Sequence, residues 1–352
     1  MNKLQKHKKT RLLLLFLSFI ASKSSLTKIR PTIFAARYEF DQSSNDDTLY
    51  HFRFDKNALR KLVELLNIPS RIVLPQRSVV LGFDAFLMLL KRFAYPIRLD
   101  DIAIMFGRPR EIVSMTIKWM VNYIYKNFCY LLKFDQSRLT PQKLEYFAKC
   151  VYQKGAPLST VYAFIDGTVR PNSRPGLGQK LFFNGHHRIH ALKYQSVTTP
   201  DGIIVDLCGP FEGRRHDCFL LKESQLLIRM QEWSHGIDGS DLHIYGDPAY
   251  GVTRYLISPF KGASLTEKQN LFNSRMSSVR ESVEYGFQRI ITYCAFLDFK
   301  KNLKILLQPV GKMYPVGALL VNFHACFYGT QTATFFNVET PSIEEYILSA
   351  NR

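Results

Sequence analysis

The feature that most restricts this chain is a change of period near residue 156. Upstream, apolar residues recur at helical spacing; downstream, to about residue 296, the chain reads strand, strand, strand, helix, strand, helix. VYAFIDGTVRP, residues 161–171, runs through five apolar or aromatic residues into Asp166, which predicts a buried strand ending on a carboxylate. HRIHALKYQSVTT and GIIVDLCGPF predict the second and third strands, with Pro200, Asp201 and Gly202 in the hairpin turn between them. HDCFLLKESQLLIRM predicts one amphipathic helix, LHIYGD a short strand ending at Asp247, and residues 266–296 a long helix. Such an antiparallel meander with a later strand and helix makes the downstream half α/β.

That element order is the order of a ribonuclease-H-like domain. In such a sheet the first and fourth strands are neighbours, so Asp166 and Asp247 are expected side by side at one edge. Asp217, opening the helix between them, and Glu284, on the long helix, are expected to lean over the pair. Clustered carboxylates repel one another unless a cation joins them, and an all-oxygen donor set suits Mg²⁺ or Mn²⁺. Two such ions about 3.5 to 4 Å apart support in-line phosphodiester displacement. Each acid alone also has a bland reading: Asp166 in a turn, Asp217 in a helix cap, Asp247 in a strand-ending turn, Glu284 as a solvated helical residue. Glu281, one helical turn before Glu284, is the rival for the fourth place.

The upstream part reads as helical. FDQSSNDDTLY is a polar linker, after which Leu59, Leu62, Val63, Leu65 and Leu66 recur at helical spacing, and Pro96 closes a second helix. In RLDDIAIMFGRPREIVSMTIKWMVNYIY, one helix is expected to stop at Gly107 and another to restart at Pro109. Ala103 would sit at the crossover, while Val113, Ile117 and Met120 would hold the second helix down. This is a helix-turn-helix outline, with Arg108 and Arg110 placed to meet phosphate.

With 47 Lys and Arg against 29 Asp and Glu, the chain carries a formal charge of +18, the sign of a protein that meets a polyanion. DNA is the expected partner, and Arg188, Lys193, Arg214 and Arg215, flanking the carboxylates in sequence, are expected to contact it. In NGHHRIH the three histidines lie on or near a strand, where side chains diverge, so phosphate contact is favoured over a metal. RPGLGQK lacks the Gly-Lys-Ser/Thr of a nucleotide loop and reads as a basic loop near DNA. His324 and Cys326 read as core residues on a closing helix. The six cysteines are too scattered for a disulfide framework or a zinc site. At the start, basic residues precede an apolar run over residues 12–21, too short to span a bilayer. Two readings of this leader stand open, a secretory signal and a helical segment whose Lys6, Lys8, Lys9 and Arg11 serve nuclear import; the absence of Asn-X-Ser/Thr sequons and the cysteine pattern favour the second, hence a nuclear protein with no membrane association.

The pieces FIDGTVRP, HRIHALKYQSVTTPDGIIVD, RRHDCFLL, IYGDPAYG, LFNSRMSSVRESVEYGFQRI and ALLVNFHACFYG, in that order, resemble the PIF/Harbinger transposases and the nucleases derived from them, within the DDE endonuclease superfamily. The resemblance runs from about residue 52 to 330. It places that family's metal-binding carboxylates on Asp166, Asp217, Asp247 and Glu284, with Asp166, Asp247 and Glu284 carrying catalysis. It implies a divalent-metal-dependent endonuclease that cuts, and in a transposase joins, DNA at the ends of a mobile element. A Myb-like DNA-binding protein and a homo-oligomer are the further partners implied. Two departures stand out: Gln288 and Arg289 follow Phe287 where the family often has Gly and Lys, and the leader has no counterpart. The expected organisation is a leader and linker (1–45), a helical helix-turn-helix domain (46–155), a ribonuclease-H-like nuclease domain (156–330) and a C-terminal tail (331–352). The alternative is a host protein that keeps the fold and binds DNA without cutting it.

Overall fold

The computed structural model describes residues 38–348, apart from the side chains of residues 282–287. The apolar leader therefore lies outside the described residues. The upstream half is built from helices α1 (Asn45–Phe52), α2 (Lys56–Leu65), α3 (Gly82–Ala94), α4 (Leu99–Phe106), α5 (Arg110–Phe128) and α6 (Pro141–Gln153). Their starts follow local chemistry: the side chains of Ser44, Asp55 and Thr140 accept from the backbone N–H of Asp47, Ala58 and Lys143, closing α1, α2 and α6. A small hairpin, β1 (Arg71–Val73) with β2 (Val79–Leu81), interrupts them. Three-residue strands are too short to show a period, which is why the sequence did not reveal them.

α4 ends at Gly107, which adopts φ 58° and returns its N–H to the Ala103 and Ile104 carbonyls. Pro109 occupies the N-cap of α5, one residue before the first helical position expected for it. Val113, Ile117 and Met120 are buried, and α5 packs against α3, α4 and the later helix α11 (Val310–Tyr328).

Downstream, the sheet is assembled from β3 (Val161–Pro171), β4 (Phe183–Asn184), β5 (Ile189–Thr198), β6 (Ile204–Glu212), β7 (His243–Gly246) and β8 (Leu256–Ile257). Its order is β6, β5, β3, β7, β8, with the short β4 also on the β5 edge and following the one-turn helix α7 (Gln179–Phe182). β5 is antiparallel to β3 and to β6, while β7 and β8 run parallel to β3. This mixed sheet after a helical region is typical of the ribonuclease-H-like fold. The run from Val161 to Ile165 is buried at every position because α6 and α10 (Glu267–Tyr293) pack on β3.

Three expectations are corrected here. Asp166 does not end its strand: burial stops at Ile165, but β3 continues to Pro171 beside β5. What ends at Asp166 is the pairing with β7, whose last registered pair is Ile165 with Gly246. The helix expected over residues 216–230 is two, α8 (Asp217–Glu223) and α9 (Leu226–Trp233), because Gln225 between them takes φ 53°. The stretch expected as a tail carries α12 (Gln331–Phe336) and α13 (Ile343–Leu348), with Phe336, Ile343, Tyr346 and Ile347 buried. α12 packs on α10, with Phe336 stacked on Phe164, and Asn322 of α11 explains the attachment of α13: its amide serves the N–H and C=O of Ile204 in β6 and donates to the Tyr346 hydroxyl at 2.8 Å. Among the described residues no helix is long and apolar enough to cross a membrane.

Candidate active site

The first two carboxylates are brought together by backbone register. Ile165 pairs with Gly246 in parallel, so Asp166 and Asp247, one residue on, leave the ladder as neighbours. Strands pair about 4.8 Å apart, which is within the span of carboxylates sharing a cation. Asp247 caps the 3-10 turn Pro248–Tyr250, its Oδ1 accepting from the Ala249 N–H at 2.7 Å. The bland reading and the functional one thus coexist: the cap fixes the carboxylate, and Oδ2 faces Arg280 of α10 at 3.9 Å. The other terminal nitrogen of Arg280 lies 3.4 Å from Asp166 Oδ1.

Asp217 reaches the same place from the other side. It is the first helical residue of α8, and a Cβ placed on Gly167 would lie 2.9 Å from its Oδ1 and 3.1 Å from the Tyr250 hydroxyl. Glycine is needed beside Asp166 for that close approach, since any side chain would push both groups away. Asp217 is held there by Lys193 of β5, whose buried ammonium donates to Asp217 Oδ1 at 2.6 Å and to the Arg215 carbonyl at 3.0 Å. Tyr250 is 4% exposed, and its hydroxyl has no hydrogen-bonding partner among the described residues. Burial, reinforced by the charges of Asp217, Asp166 and Asp247, pushes that phenol far up, so it stays protonated. Arg280 and Tyr250 were not singled out from sequence, and Gly167 was read only as part of a turn with Asp166. IYGDPAYG and the four-residue interval from Arg280 to Glu284 carried the trace of the first two.

Glu284 lies on α10, and its side chain is outside the described residues. Glu281, its rival, is exposed on the same helix. Among the described residues no three His, Cys, Asp or Glu side chains converge closely enough to hold a metal. The pair Asp166 and Asp247 nevertheless passes a test of fit for a divalent ion. Its donors are all carboxylate oxygen, and a single guanidinium lies within ion-pair distance of both groups, so they present one common position for a cation.

Beside the carboxylates lies a cavity of about 510 Å³ that includes Gly167 and Asp217 in its walls. His186, His187, Arg214, Arg215 and His216 give it a basic lining, with Lys193 at the Asp217 end. Asn184 shapes this wall by donating to the Gly213 carbonyl and accepting from the His187 N–H. Arg214 and Arg215 share Glu212 as an ion-pair partner, and Arg215 also stacks over Phe219. Arg188 is exposed at the turn into β5, where it takes φ 54°. Arg108 and Arg110 sit apart from this cluster, at the α4 to α5 turn, and Arg110 pairs with Asp100 and Glu111. His324 is half-buried among the rings of Tyr293, Tyr328 and Phe54, and burial first, then the charges of Arg289 and Arg53, push its imidazole down to about 3. It stays neutral in the core, as its sequence context indicated.

With this geometry in place, comparison with known proteins gives one match: residues 165–322 match the family described as DDE superfamily endonuclease. The matched stretch opens one residue before Asp166 and takes in Asp217, Asp247 and Glu284. No curated protein and no solved structure matches the chain.

Proposed function

We propose that this chain, with its match to the DDE superfamily endonucleases over residues 165–322, is a divalent-metal-dependent DNA endonuclease of the PIF/Harbinger transposase type. The observation that carries this reading is the adjacency of Asp166 and Asp247 at the point where β3 and β7 part, with one cation spanning both. Asp166 and Asp247 would hold the ion, and Glu284 would complete its shell from α10. The bound ion supplies activation of a water or 3′-hydroxyl and stabilisation of the leaving oxygen.

The protein's own residues do the rest. The β-ladder sets the spacing of the two acids, and the Ala249 N–H fixes the rotamer of Asp247. Lys193 neutralises Asp217 and keeps it over Gly167, so in our reading Lys193 works inside the site and Asp217 orients groups around the ion. The basic cavity receives the phosphodiester backbone, with Arg214 and Arg215 in its wall and Arg188, exposed on the turn next to His187, at its rim as the contacts. The helix pair α4 and α5, led by Arg108 and Arg110, serves as a second, helix-turn-helix DNA contact. DNA as substrate, Mg²⁺ or Mn²⁺ as cofactor, a nuclear location, self-association and a Myb-like partner belong to this same reading.

The guanidinium at the carboxylates favours one alternative, a protein that binds DNA without cutting it. The same experiment separates the two: purified full-length chain on supercoiled plasmid, with Mn²⁺ or with a chelator. The endonuclease reading expects nicking with Mn²⁺ and none with chelator; binding without nicking in either condition leaves the alternative. Binding should weaken steeply with salt, and Arg188→Ala and Arg214→Ala should each lower the slope of log K against log salt by about 0.9. An unchanged slope in both variants would remove the cavity from the DNA path.

A further inference from the structure

Two carboxylates fixed side by side repel each other, and the backbone register gives them no means of moving apart. Arg280 answers that repulsion from the facing helix. Its side chain is 15% exposed, and its two terminal nitrogens divide between the acids, one 3.4 Å from Asp166 and the other 3.9 Å from Asp247. Both separations exceed the roughly 2.7–2.9 Å of a tight charge-assisted hydrogen bond, so the guanidinium spans the two acids and does not close on one of them as a tight two-pronged pair. An ion bound to the same oxygens at about 2.0–2.1 Å would confront the guanidinium at close range, and like charges cannot share that position.

We propose that Arg280 is the site's own counter-cation, a positioning residue that holds Asp166 and Asp247 together before an ion binds and then turns to the phosphodiester of the bound strand. The planar fork that spans two carboxylates is equally suited to phosphate. Arg280 stands on α10 four residues before Glu284, on the helix that packs on β3. DNA draws Arg280 away from the acids and the ion displaces it, so both favour the same state. Each therefore raises the other's affinity by the same factor. The proposal rests on the endonuclease reading above, because it assumes that the pair takes a divalent ion.

The test is Mn²⁺ binding to full-length protein, read from the electron paramagnetic resonance signal of free Mn²⁺, with and without a short DNA duplex and with duplex-only controls subtracted. In the wild type, DNA is expected to tighten Mn²⁺ binding by about fivefold or more. Arg280→Gln is expected to bind Mn²⁺ more tightly without DNA, by a similar factor, and to lose most of the gain from DNA. Arg280→Lys keeps the charge but not the two-pronged reach and should fall between; it also supplies the comparison if the Gln variant folds poorly. Mn²⁺ affinities equal to the wild type in both variants, with the DNA effect intact, would overturn the role of Arg280 alone, provided Asp247→Asn still abolishes binding. No Mn²⁺ binding by any form would overturn the endonuclease reading and this inference with it.

Discussion

Asp166→Asn and Asp247→Asn are each expected to remove Mn²⁺-dependent nicking by about a thousandfold or more, while DNA affinity stays within about twofold. The size follows from what each acid supplies. An ion that polarises phosphoryl oxygen contributes several kcal/mol to the transition state, and each 1.36 kcal/mol is a factor of ten in rate. Losing one of the two strand-borne donors forfeits most of that. Folding should hardly register the change, because Asp166 and Asp247 side chains are 33% and 45% exposed and exposed ion pairs are worth about 0–1 kcal/mol. Gel-based nicking rates beside salt-matched binding curves make the comparison. A variant that cuts at the wild-type rate, or that loses binding and cutting together, contradicts the assignment.

The second large effect concerns stability, at a buried ion pair distant from the chemistry. Asp206 on β6 is almost fully buried; its Oδ2 accepts from Arg229 of α9 at 2.6 Å and from the Phe134 N–H at 3.1 Å. Phe134 lies between α5 and α6 of the helical half, so this carboxylate ties that half to the sheet. Burial pushes the Asp206 carboxyl up, against the pull of Arg229. Arg229→Met should therefore cost about 3–5 kcal/mol, because it strands a buried carboxylate without its cation. Asp206→Asn, which retains an acceptor for Phe134, should cost less. Urea denaturation of both variants is the measurement; a loss under about 1 kcal/mol in Arg229→Met would show that the pair does not join the two halves.

Much of this molecule was legible before any coordinates. The buried run ending at Ile165 marked where the sheet's interior stops, and the order of strands and helices placed Asp247 beside Asp166. The same signal misled about the strand's end, because burial and backbone pairing stop at different residues: β7 is short, while β5 escorts β3 to Pro171. The break at Gln225 was hidden because the apolar spacing of α8 and α9 continues across it in sequence. α12 and α13 were missed for another reason. Each has only six residues, and they are held by contacts no local pattern announces, Phe336 on Phe164 for α12 and Tyr346 with Asn322 for α13.

The site shows the same division. Asp217 and Asp247 stood out in the sequence because they sit at element boundaries, and Asp166 because the buried run of β3 stops beside it, although the strand itself continues. Lys193 was read as a DNA contact from its charge, yet in the fold it is a buried counterion to Asp217. Arg280 left only its four-residue interval from Glu284 as a sign. Its meaning comes from packing α10 across β3, which brings together residues 114 positions apart.

If Asp166 and Asp247 share a divalent ion, crystals of the protein soaked in Mn²⁺ and measured at a wavelength sensitive to manganese will show it directly. The expected result is an anomalous peak within coordination distance of both carboxylates, with the Arg280 guanidinium moved off them. Manganese bound elsewhere, with Arg280 still spanning Asp166 and Asp247, would contradict it.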